Sequence, residues 1–456
     1  MENKERSELG QGSIGKLLFK LAAPAITAQI VNLLYNLVDR MYIGHIEGIG
    51  RLALTGVGVC LPCIMIISAF AALVSMGGAP RASIMLGRKD KDAAERILGN
   101  CFTLLLALSV VLTGVFLVFG KDLLLVFGAS PETVGYAWEY LSIYTAGTIF
   151  VQLALGLNAF ITAQGFTKVS MQTVVVGAVC NIVLDPIFIF VFNMGVRGAA
   201  LATILSQAVS AVWVLCFLRG KKTTLRLRVS NMRLSARVVL PCLALGLSPF
   251  IMQATESVIA VCFNSSLYRY GGDLAVGAMT ILTSVMQFAM LPLSGLTQGA
   301  QPIVSYNYGA RNPERVKRTF WLLLRACLIY SMTMWAAVQI APQFFVRIFN
   351  SDPEFVSYAS WALRIYMGVS GIFGIQIACQ QTFIAIGNAK SSLFLAVLRK
   401  ILLLVPLIFI LPNFFADKAF AVFLAEPVAD AIAVITTATL FSVQFKKTMA
   451  RLSLPE

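Results

Sequence analysis

The chain has 456 residues, of which 58% are hydrophobic and only 12% are charged, and its mean hydropathy is +0.81. Soluble domains carry about 25% charged residues, so the composition excludes an ordinary soluble protein and predicts an all-α membrane protein with many spans. A net charge of +15 would suit nucleic acid. The basic residues instead lie in alternate loops, as membrane topology requires, and we expect no nucleic-acid partner.

Twelve apolar segments are predicted to cross the bilayer, because each supplies the roughly 20 apolar residues that a hydrocarbon core requires. One alternate set of loops holds 28 of the 36 lysines and arginines, including Lys4 and Arg6. The positive-inside rule then predicts a multi-pass protein of the cell (inner) membrane with both termini in the cytoplasm. The predicted spans lie at about 17–43, 53–79, 97–119, 134–162, 169–192, 197–218, 238–264, 275–301, 318–341, 356–386, 391–412 and 419–444.

The second half of the chain repeats the first at a constant offset of 222 residues. FGASPETVGYA at 127–137 matches FNSDPEFVSYA at 349–359, and the same offset pairs Gly87 with Gly309. Each half has six spans, an even number, so both halves start on the same side of the membrane and the repeat is parallel. We therefore predict two six-helix bundles related by a pseudo-two-fold axis: an amino-terminal lobe at 1–218, a basic cytoplasmic linker at 219–237 and a carboxy-terminal lobe at 238–456.

The first span carries a stripe of polar residues on an otherwise apolar helix. Gln29, Asn32, Asn36 and Asp39 follow one another at spacings of 3, 4 and 3, and Tyr35 lies beside them. Such a stripe is costly against lipid, so it is expected to face the interior of the bundle. The alternative is that these residues only join helices through hydrogen bonds.

The fifth span contains the strongest signal of function. Asn181 and Asp185 stand four residues apart within VVVGAVCNIVLDPIFIFVF at 174–192, so a helix places them on one face. An Asp at the centre of a span costs roughly 2.5–3.5 kcal/mol. Pro186 follows and leaves the carbonyl of Ile182 without its helical partner. This pattern indicates an ion or substrate site, the alternative being an Asp that snorkels from a helix end.

Further polar residues occur in later spans. Thr203 offers a hydroxyl at depth in the sixth span, and Gln253 and Glu256 lie three apart in the seventh. Arg399 and Lys400 are expected to snorkel toward the cytoplasm, with a cavity role as the alternative. In the last span Glu426 is a candidate partner for either of them, and the roles of Glu426 and Asp430 stay open.

Few residues are available for catalysis or redox chemistry. The sequence has one histidine, His45, and contains no Ser/His/Asp set, no phosphate-binding Gly-rich loop and no metal-ligand cluster. Nine cysteines are scattered, and Cys60 and Cys63 form a C-x-x-C in an apolar helix, where core packing is expected rather than a redox role. We therefore predict that the protein is not an enzyme.

The sequence resembles the multidrug and toxic compound extrusion (MATE) transporters, nearer the DinF/MepA-like branch than the NorM branch. The likeness covers essentially the whole chain and rests on the two-lobe repeat together with several specific stretches. These are PAITAQIVNLLYNLVDRMYIG at 24–44, LGR at 86–88, NIVLDPIFIF at 181–190, GVRGAALAT at 195–203 and QGAQPIVSYNYGA at 298–310.

The resemblance implies a cation-coupling site in the amino-terminal lobe. Glu256 stands where many relatives carry an acid in the seventh span. Relatives of the NorM type also hold a carboxylate in the tenth span, where this chain has Gln376 and Gln380, so ion coupling in the carboxy-terminal lobe is in doubt. The matching stretches place the amino-terminal site, with Na⁺ as one candidate ion, at Asp39, Asn181, Asp185 and Thr203.

The chemistry of these residues fits a small cation. Two carboxylates, an amide oxygen and a hydroxyl are hard donors that suit Na⁺, and carboxylates held close together away from water equally suit a proton. We expect H⁺ or Na⁺ to neutralise Asp39 and Asp185, so that the lobe rearranges and releases a cationic amphipathic compound. No cofactor beyond this ion is implied, and we expect a monomer. The substrate or coupling cleft is predicted at Gln29, Asn32, Tyr35, Asn36, Gln253 and Glu256.

Two other transport classes remain as alternatives. A lipid-linked precursor flippase of the same superfamily is expected to have a markedly cationic central cavity, whereas the deep ionisable groups of the first half are mainly acidic. A cavity lined by Arg364, Arg399 and Lys400 would favour the flippase. A channel would not need the two-lobe repeat with an acidic site at mid-depth.

Overall fold

The computed structural model describes residues 9–454, which fold into α-helices joined by short loops, with no β-strand in that range. Two of the predicted cytoplasmic charges, Lys4 and Arg6, lie outside the described residues. Large apolar side chains such as Val110, Val118 and Phe119 stay exposed on the helices, as expected of surfaces that lipid covers.

The described part of the first half contains seven α-helices and one π-helical segment. They are α1 (Ile14–Gly44), α2 (Gly50–Gly87), α3 (Lys91–Val126), α4 (Val134–Ala146), α5 (Thr148–Ala163), α6 (Thr167–Pro186), the π-helical segment Ile187–Val191, and α7 (Val196–Arg219). A short 3₁₀ turn, Val229–Asn231, lies between the halves.

The second half contains the longer and more broken helices. They are α8 (Ala236–Ala254), α9 (Glu256–Gly309), α10 (Pro313–Ile340), α11 (Pro342–Arg347), α12 (Pro353–Tyr366), the 3₁₀ turn Ser370–Ile372, α13 (Phe373–Ala385), α14 (Ala389–Val397), the π-helical segment Leu398–Leu404, α15 (Val405–Ile410), the 3₁₀ turn Leu411–Asn413, and α16 (Lys418–Leu452).

Among the described residues, nine helices are long and apolar enough to cross a membrane, or up to eleven when each of two bent pairs counts as one span. One of the nine is the 74-residue stretch 236–309. At 1.5 Å per residue it would be about 110 Å long, far more than a bilayer core of about 30 Å. It breaks at Gly272, where φ is 64° and ψ is −159°. If the stretch is divided at Gly272 into two spans, the eleven become twelve, which is consistent with the predicted number.

Two spans that were predicted as single helices are bent. The fourth span bends by 59° between α4 and α5, and the tenth bends by 45° between α12 and the helix that follows. Both are the fourth span of their half, so the repeat extends to the bends. The first bend falls at Gly147, where a Cβ would lie 2.3 Å from Ile204 on α7. A larger residue would not fit between these helices.

The first helix of each half also packs against the other half. The first turns of α1 contribute Leu17 and Leu21 to a buried cluster that belongs mainly to the second half and includes Phe320. In return, α8 contributes Cys242 to a cluster of first-half residues. The second part of α1 then lies against α6 in its own lobe, which is how Asp39 reaches the functional site described below.

Glycines allow the two lobes to meet where α2 and α9 end. A Cβ on Gly87 would lie 2.0 Å from the carbonyl oxygen of Tyr306, and one on Gly309 would lie 2.0 Å from the carbonyl oxygen of Ile84. Residues 84 and 306, like 87 and 309, differ by 222, so the repeat interchanges the two contacts. Such reciprocal contacts are the mark of a two-fold interface. We call this end of the molecule the basic end, because Arg88, Lys89 and Arg311 surround it.

Enlarging either glycine is expected to destabilise the contact between the two lobes. Gly87→Ala and Gly309→Ala each place a methyl group against backbone atoms of the facing helix, which cannot move without disturbing that helix. We therefore expect the free energy of unfolding to fall by about 1–3 kcal/mol. Thermal unfolding of the purified protein in detergent measures it. Gly58→Ala on α2 is the matched control, since nothing lies within 4 Å of its Cβ; equal midpoints for all three variants would contradict the close contact.

The C-x-x-C pair packs in the apolar core, as predicted. Cys60 and Cys63 are free thiols with no measurable exposure, and they belong to the cluster that includes Ile67 and Phe116. The Cys60 thiol donates to the carbonyl oxygen of Ala137 at 3.2 Å.

Candidate functional site

Three helices of the amino-terminal lobe bring four polar side chains together. Asn181 Nδ2 donates to Asp185 Oδ1 at 3.2 Å and lies 3.5 Å from Thr203 Oγ1. The carboxyl of Asp39 on α1 faces that of Asp185 on α6. All four side chains are buried, with at most 9% exposed. We call Asp39, Asn181, Asp185 and Thr203 the acidic cluster; its members are the four residues that the sequence proposed for cation coupling.

The acidic cluster contains hydrogen-bond acceptors without donors. Within residues 9–454, Asp39 Oδ1, Asn181 Oδ1 and Asp185 Oδ2 are buried and have no hydrogen-bond partner. A buried acceptor left unpaired costs about 1–3 kcal/mol, and more when it is charged. Three such oxygens in one cluster therefore form a site that a proton or a small cation would stabilise. The described residues contain no group of three or more His, Cys, Asp or Glu able to hold a metal, and two carboxylates suit a monovalent ion.

The backbone beside Asp185 is irregular, as Pro186 predicts. The α-helix ends at Pro186 and continues as the π-helical segment Ile187–Val191. Proline has no N–H to donate, and π-helical turns occur frequently at functional sites. Asp185 thus lies at the junction of two helical geometries within one span.

Sequence reasoning missed two tyrosines beside the acidic cluster. Tyr140 lies next to Thr203 and near Asp39, and its ring stacks on Tyr144 with 6.2 Å between the centroids. Both belong to α4, whose aromatic sequence gave no polar stripe. Their spacing of four residues was a signal, because it places both rings on one helix face.

A small polar cavity adjoins the acidic cluster. Its volume is about 50 Å³, and Asn181 and Thr203 form part of its wall. One water needs roughly 10–15 Å³ of such volume, so the cavity has room for a few. The other polar residues that line it are Asn32, Tyr35, Asn158, Thr173, Ser206, Gln207 and Ser210.

The six residues proposed for a cleft lie on α1, α8 and α9. Asn32 and Tyr35 line the cavity of the amino-terminal lobe. Asn36 is exposed and donates from Nδ2 to the carbonyl of Asn32 at 2.7 Å, while Gln29 and Gln253 are half-buried. Glu256 belongs to the carboxy-terminal lobe, where it accepts a 2.6 Å hydrogen bond from Lys400 Nζ.

The carboxy-terminal lobe holds a second group of ionisable residues. Arg399 Nε donates to Asp430 Oδ1 at 2.7 Å, and Arg399 NH2 donates to Glu426 Oε1 at 3.1 Å. The guanidinium also lies 4.4 Å from the ring centre of Phe373, a cation–π contact. We call Glu256, Arg399, Lys400, Glu426 and Asp430 the ion-pair cluster.

The expectation that Arg399 and Lys400 snorkel toward the cytoplasm is wrong. Only 6% of Arg399 and 5% of Lys400 is exposed. The physical reason is that α16 places Glu426 and Asp430 within reach, so the charge of Arg399 is neutralised inside the lobe rather than in water. The proposed pairing of Glu426 is confirmed, with Arg399 as its partner.

The glutamines of the tenth span belong to an interhelical network. Gln376 Nε2 donates to Gln380 Oε1 at 3.2 Å, and Gln380 Nε2 lies 3.2 Å from Ser248 Oγ on α8. The Thr437 hydroxyl donates to Gln376 Oε1. Both amides are therefore engaged in joining helices.

The two-lobe fold and its buried polar clusters define a membrane transporter. The family model described as MatE matches residues 24–187 and 249–410. The chain therefore belongs to the MatE family, whose members are transporters and not enzymes, as the resemblance predicts.

Solved structures and curated relatives agree with this assignment. The chain is 35% identical to a MATE multidrug transporter, DinF-BH, solved in complex with R6G; the match covers 95% of this chain and 96% of that one, with a TM-score of 0.88. It is 25% identical, over all of both chains, to the multidrug export protein MepA of Staphylococcus haemolyticus. A crystal structure of MATE in the bent conformation covers 99% of each chain with a TM-score of 0.92 at 24% identity, which shows the shared fold.

Proposed function

We propose that this protein is a secondary active antiporter that exports cationic amphipathic compounds in exchange for H⁺ or Na⁺. The observation that carries the proposal is the group of three unpaired buried oxygens on Asp39, Asn181 and Asp185. These atoms lack a positive partner that an entering cation would supply. MepA is named a multidrug export protein, and DinF-BH was solved in complex with R6G. Both relatives support organic cations as the substrate class.

Coupling follows from the charge of the acidic cluster. When the cluster is empty, two facing carboxylates repel each other, and buried like charges are costly. Binding of H⁺ or Na⁺ removes that repulsion, so the loaded and unloaded lobes favour different arrangements. Exchange of one such ion for one monovalent organic cation moves no net charge across the membrane. The concentration gradient of the ion therefore drives export of the compound, with about 1.4 kcal/mol for each tenfold gradient.

The charge distribution supports a cell-membrane location with the basic end in the cytoplasm. The segment 219–237 carries seven lysines and arginines, which fits a cytoplasmic linker between lobes at 1–218 and 238–456. Both termini would then be cytoplasmic, and the protein would act as a monomer.

The contacts of Arg399 and Lys400 favour the cation exporter over a lipid-linked precursor flippase. A flippase of anionic precursors would need these cations free to line a central cavity. Arg399 is instead bonded to two carboxylates and Lys400 to a third. Arg364 lines a cavity beside Arg347, and neither Arg399 nor Lys400 lines that cavity.

Transport in proteoliposomes tests the proposal. Purified protein is reconstituted, and proton and sodium gradients are imposed separately while the movement of ethidium and a panel of organic cations is followed. We expect one gradient to drive ethidium against its own gradient. If neither gradient moves any cation of the panel, the antiport proposal fails.

The substitution Glu256→Gln is expected to change substrate range or coupling while leaving insertion intact. Glu256 is about half exposed, with 49% of its side chain accessible, and the amide oxygen of a glutamine there can still accept the hydrogen bond that Lys400 Nζ donates to Glu256. We expect weaker transport of monovalent organic cations, measured as the apparent affinity for each member of the panel. Asp273→Asn, beyond the ion-pair cluster on α9, is the control; identical profiles for both variants would contradict a role for Glu256.

A further inference from the structure

The two lobes differ at equivalent positions of their fifth spans. The offset of 222 residues that relates the halves pairs Arg399 with Gly177. In the amino-terminal lobe, Gly177 lines the small polar cavity beside Asn181 and Thr203. Its Cβ would lie 2.4 Å from Ser210 Oγ, so that lobe leaves no room for a side chain. In the carboxy-terminal lobe the equivalent position carries the long, buried side chain of Arg399.

In the carboxy-terminal lobe, the buried carboxylates and the buried basic residues lie on different helices. The fifth span of the second half carries Arg399 and Lys400 in its π-helical segment Leu398–Leu404. The π-helical segment of the fifth span of the first half, Ile187–Val191, lies further along its span, because the repeat maps it to 409–413. The carboxylates stand on α16 at Glu426 and Asp430. The repeat maps these positions to residues 204 and 208, on the helix that supplies Thr203.

The balance of charge also differs between the lobes. Arg399 and Lys400 are the buried basic residues of the described chain, and the carboxy-terminal lobe buries two carboxylates, Glu426 and Asp430, against them. The excess negative charge belongs to Glu256, which is half exposed. In contrast, the described residues provide Asp39 and Asp185 with no buried basic partner.

The hydrogen bonding shows the same contrast. None of the side-chain nitrogen and oxygen atoms of the ion-pair cluster appears among the buried unpaired atoms of residues 9–454, whereas three oxygens of the acidic cluster do. The ion-pair cluster therefore presents no buried unpaired acceptor for an incoming cation.

We propose that Arg399 is a resident cation: it occupies, in the carboxy-terminal lobe, the role that the acidic cluster leaves for an exchangeable ion, and it thereby restricts ion coupling to the amino-terminal lobe. This inference rests on the proposed antiport function. Arg399 acts as a positioning residue, since it holds Glu426 and Asp430 and does not itself contact the substrate.

The number of ions coupled to each ethidium tests the inference. In proteoliposomes, the ethidium ratio at equilibrium is measured as a function of the imposed ion ratio, and the slope of the logarithms gives the coupling number. Three proteins are compared: wild type, Arg399→Met, and the triple variant Arg399→Met/Glu426→Gln/Asp430→Asn. The triple variant keeps the Lys400–Glu256 pair and leaves the carboxy-terminal lobe with no buried carboxylate of the ion-pair cluster that lacks a cation.

The expected slopes differ between the two variants. The triple variant should keep the wild-type slope, because the carboxylates it removes never exchange an ion. Arg399→Met leaves Glu426 and Asp430 without their cation, as Asp39 and Asp185 are, and its slope should rise by one ion per ethidium. A lower slope in the triple variant, or an unchanged slope in inserted Arg399→Met protein, overturns the inference. If Arg399→Met does not insert, the triple variant alone decides.

Failure of the antiport proposal would look different. In that case the wild-type protein itself would give no ion-dependent ethidium gradient. A wild type that couples, with coupling lost in Asp185→Asn but also reduced in the triple variant, would keep the antiport proposal and reject the resident cation.

Discussion

Asp39→Asn and Asp185→Asn should each abolish ion-driven ethidium efflux while the protein still inserts in the membrane. Either change removes one of the two facing carboxylates. The repulsion between them, which ion binding is proposed to relieve, is then absent, so ion binding no longer favours one arrangement of the lobe over another. Exchange of one H⁺ or Na⁺ for one ethidium, itself a monovalent cation, moves no net charge, so the imposed ion gradient drives export. A tenfold ion gradient, about 1.4 kcal/mol, supports an ethidium concentration ratio of about 10. We expect this ratio to collapse to that of empty vesicles. Ethidium fluorescence in a cell strain without its own pumps, and in proteoliposomes, measures it.

Insertion should survive because both substitutions are nearly isosteric and remove buried charge. An amide at position 185 still accepts from Asn181 Nδ2, which now bonds Asp185 Oδ1 at 3.2 Å. Asp122→Asn, an exposed position on α3, is the matched control and should transport like wild type. Undiminished ethidium efflux in a protein that carries both changes would show that these carboxylates are not the coupling groups.

The acidic cluster was accessible to sequence reasoning for a simple physical reason. A carboxylate in the middle of a long apolar run has few interpretations, and the spacing of Asn181 and Asp185 fixes their common helix face. The polar stripe of the first span similarly pointed Asp39 inward. Thr203 was assigned to the site through the resemblance to a known family, since a lone hydroxyl in a span carries little information of its own.

The ion-pair cluster was less accessible because its chemistry depends on which helices are neighbours. Arg399 and Asp430 are 31 residues apart in the chain and meet at 2.7 Å. The sequence showed basic residues about ten positions inside a span, for which snorkelling and a cavity role are both ordinary outcomes. Only the packing of α16 against the π-helical segment decides between them. The bend at Gly147 was also not predicted, and the close approach of Ile204 on another helix to that glycine depends in the same way on which helices are neighbours.

Among the proposed substitutions, Arg399→Met is expected to cause the largest loss of stability. Arg399→Met removes the cation from two carboxylates that are at most 4% exposed, and breaking a buried ion pair in this manner costs about 3–5 kcal/mol. Lys400→Met should cost less, because its partner Glu256 is half exposed and can be hydrated. Thermal unfolding of the purified variants in detergent gives the order wild type, then Lys400→Met, then Arg399→Met.

The triple variant separates the cost of the orphaned charges from the loss of packing. Replacement of a complete buried ion network by neutral side chains of similar volume is often neutral or stabilising, so Arg399→Met/Glu426→Gln/Asp430→Asn should recover most of the stability that Arg399→Met loses. Methionine keeps much of the apolar contact with Phe373, which now lies 4.4 Å from the guanidinium. If the triple variant is no more stable than Arg399→Met, the loss comes from packing around position 399. Recovery would instead show that the ionic contacts fix the partners of Arg399, as a resident cation requires.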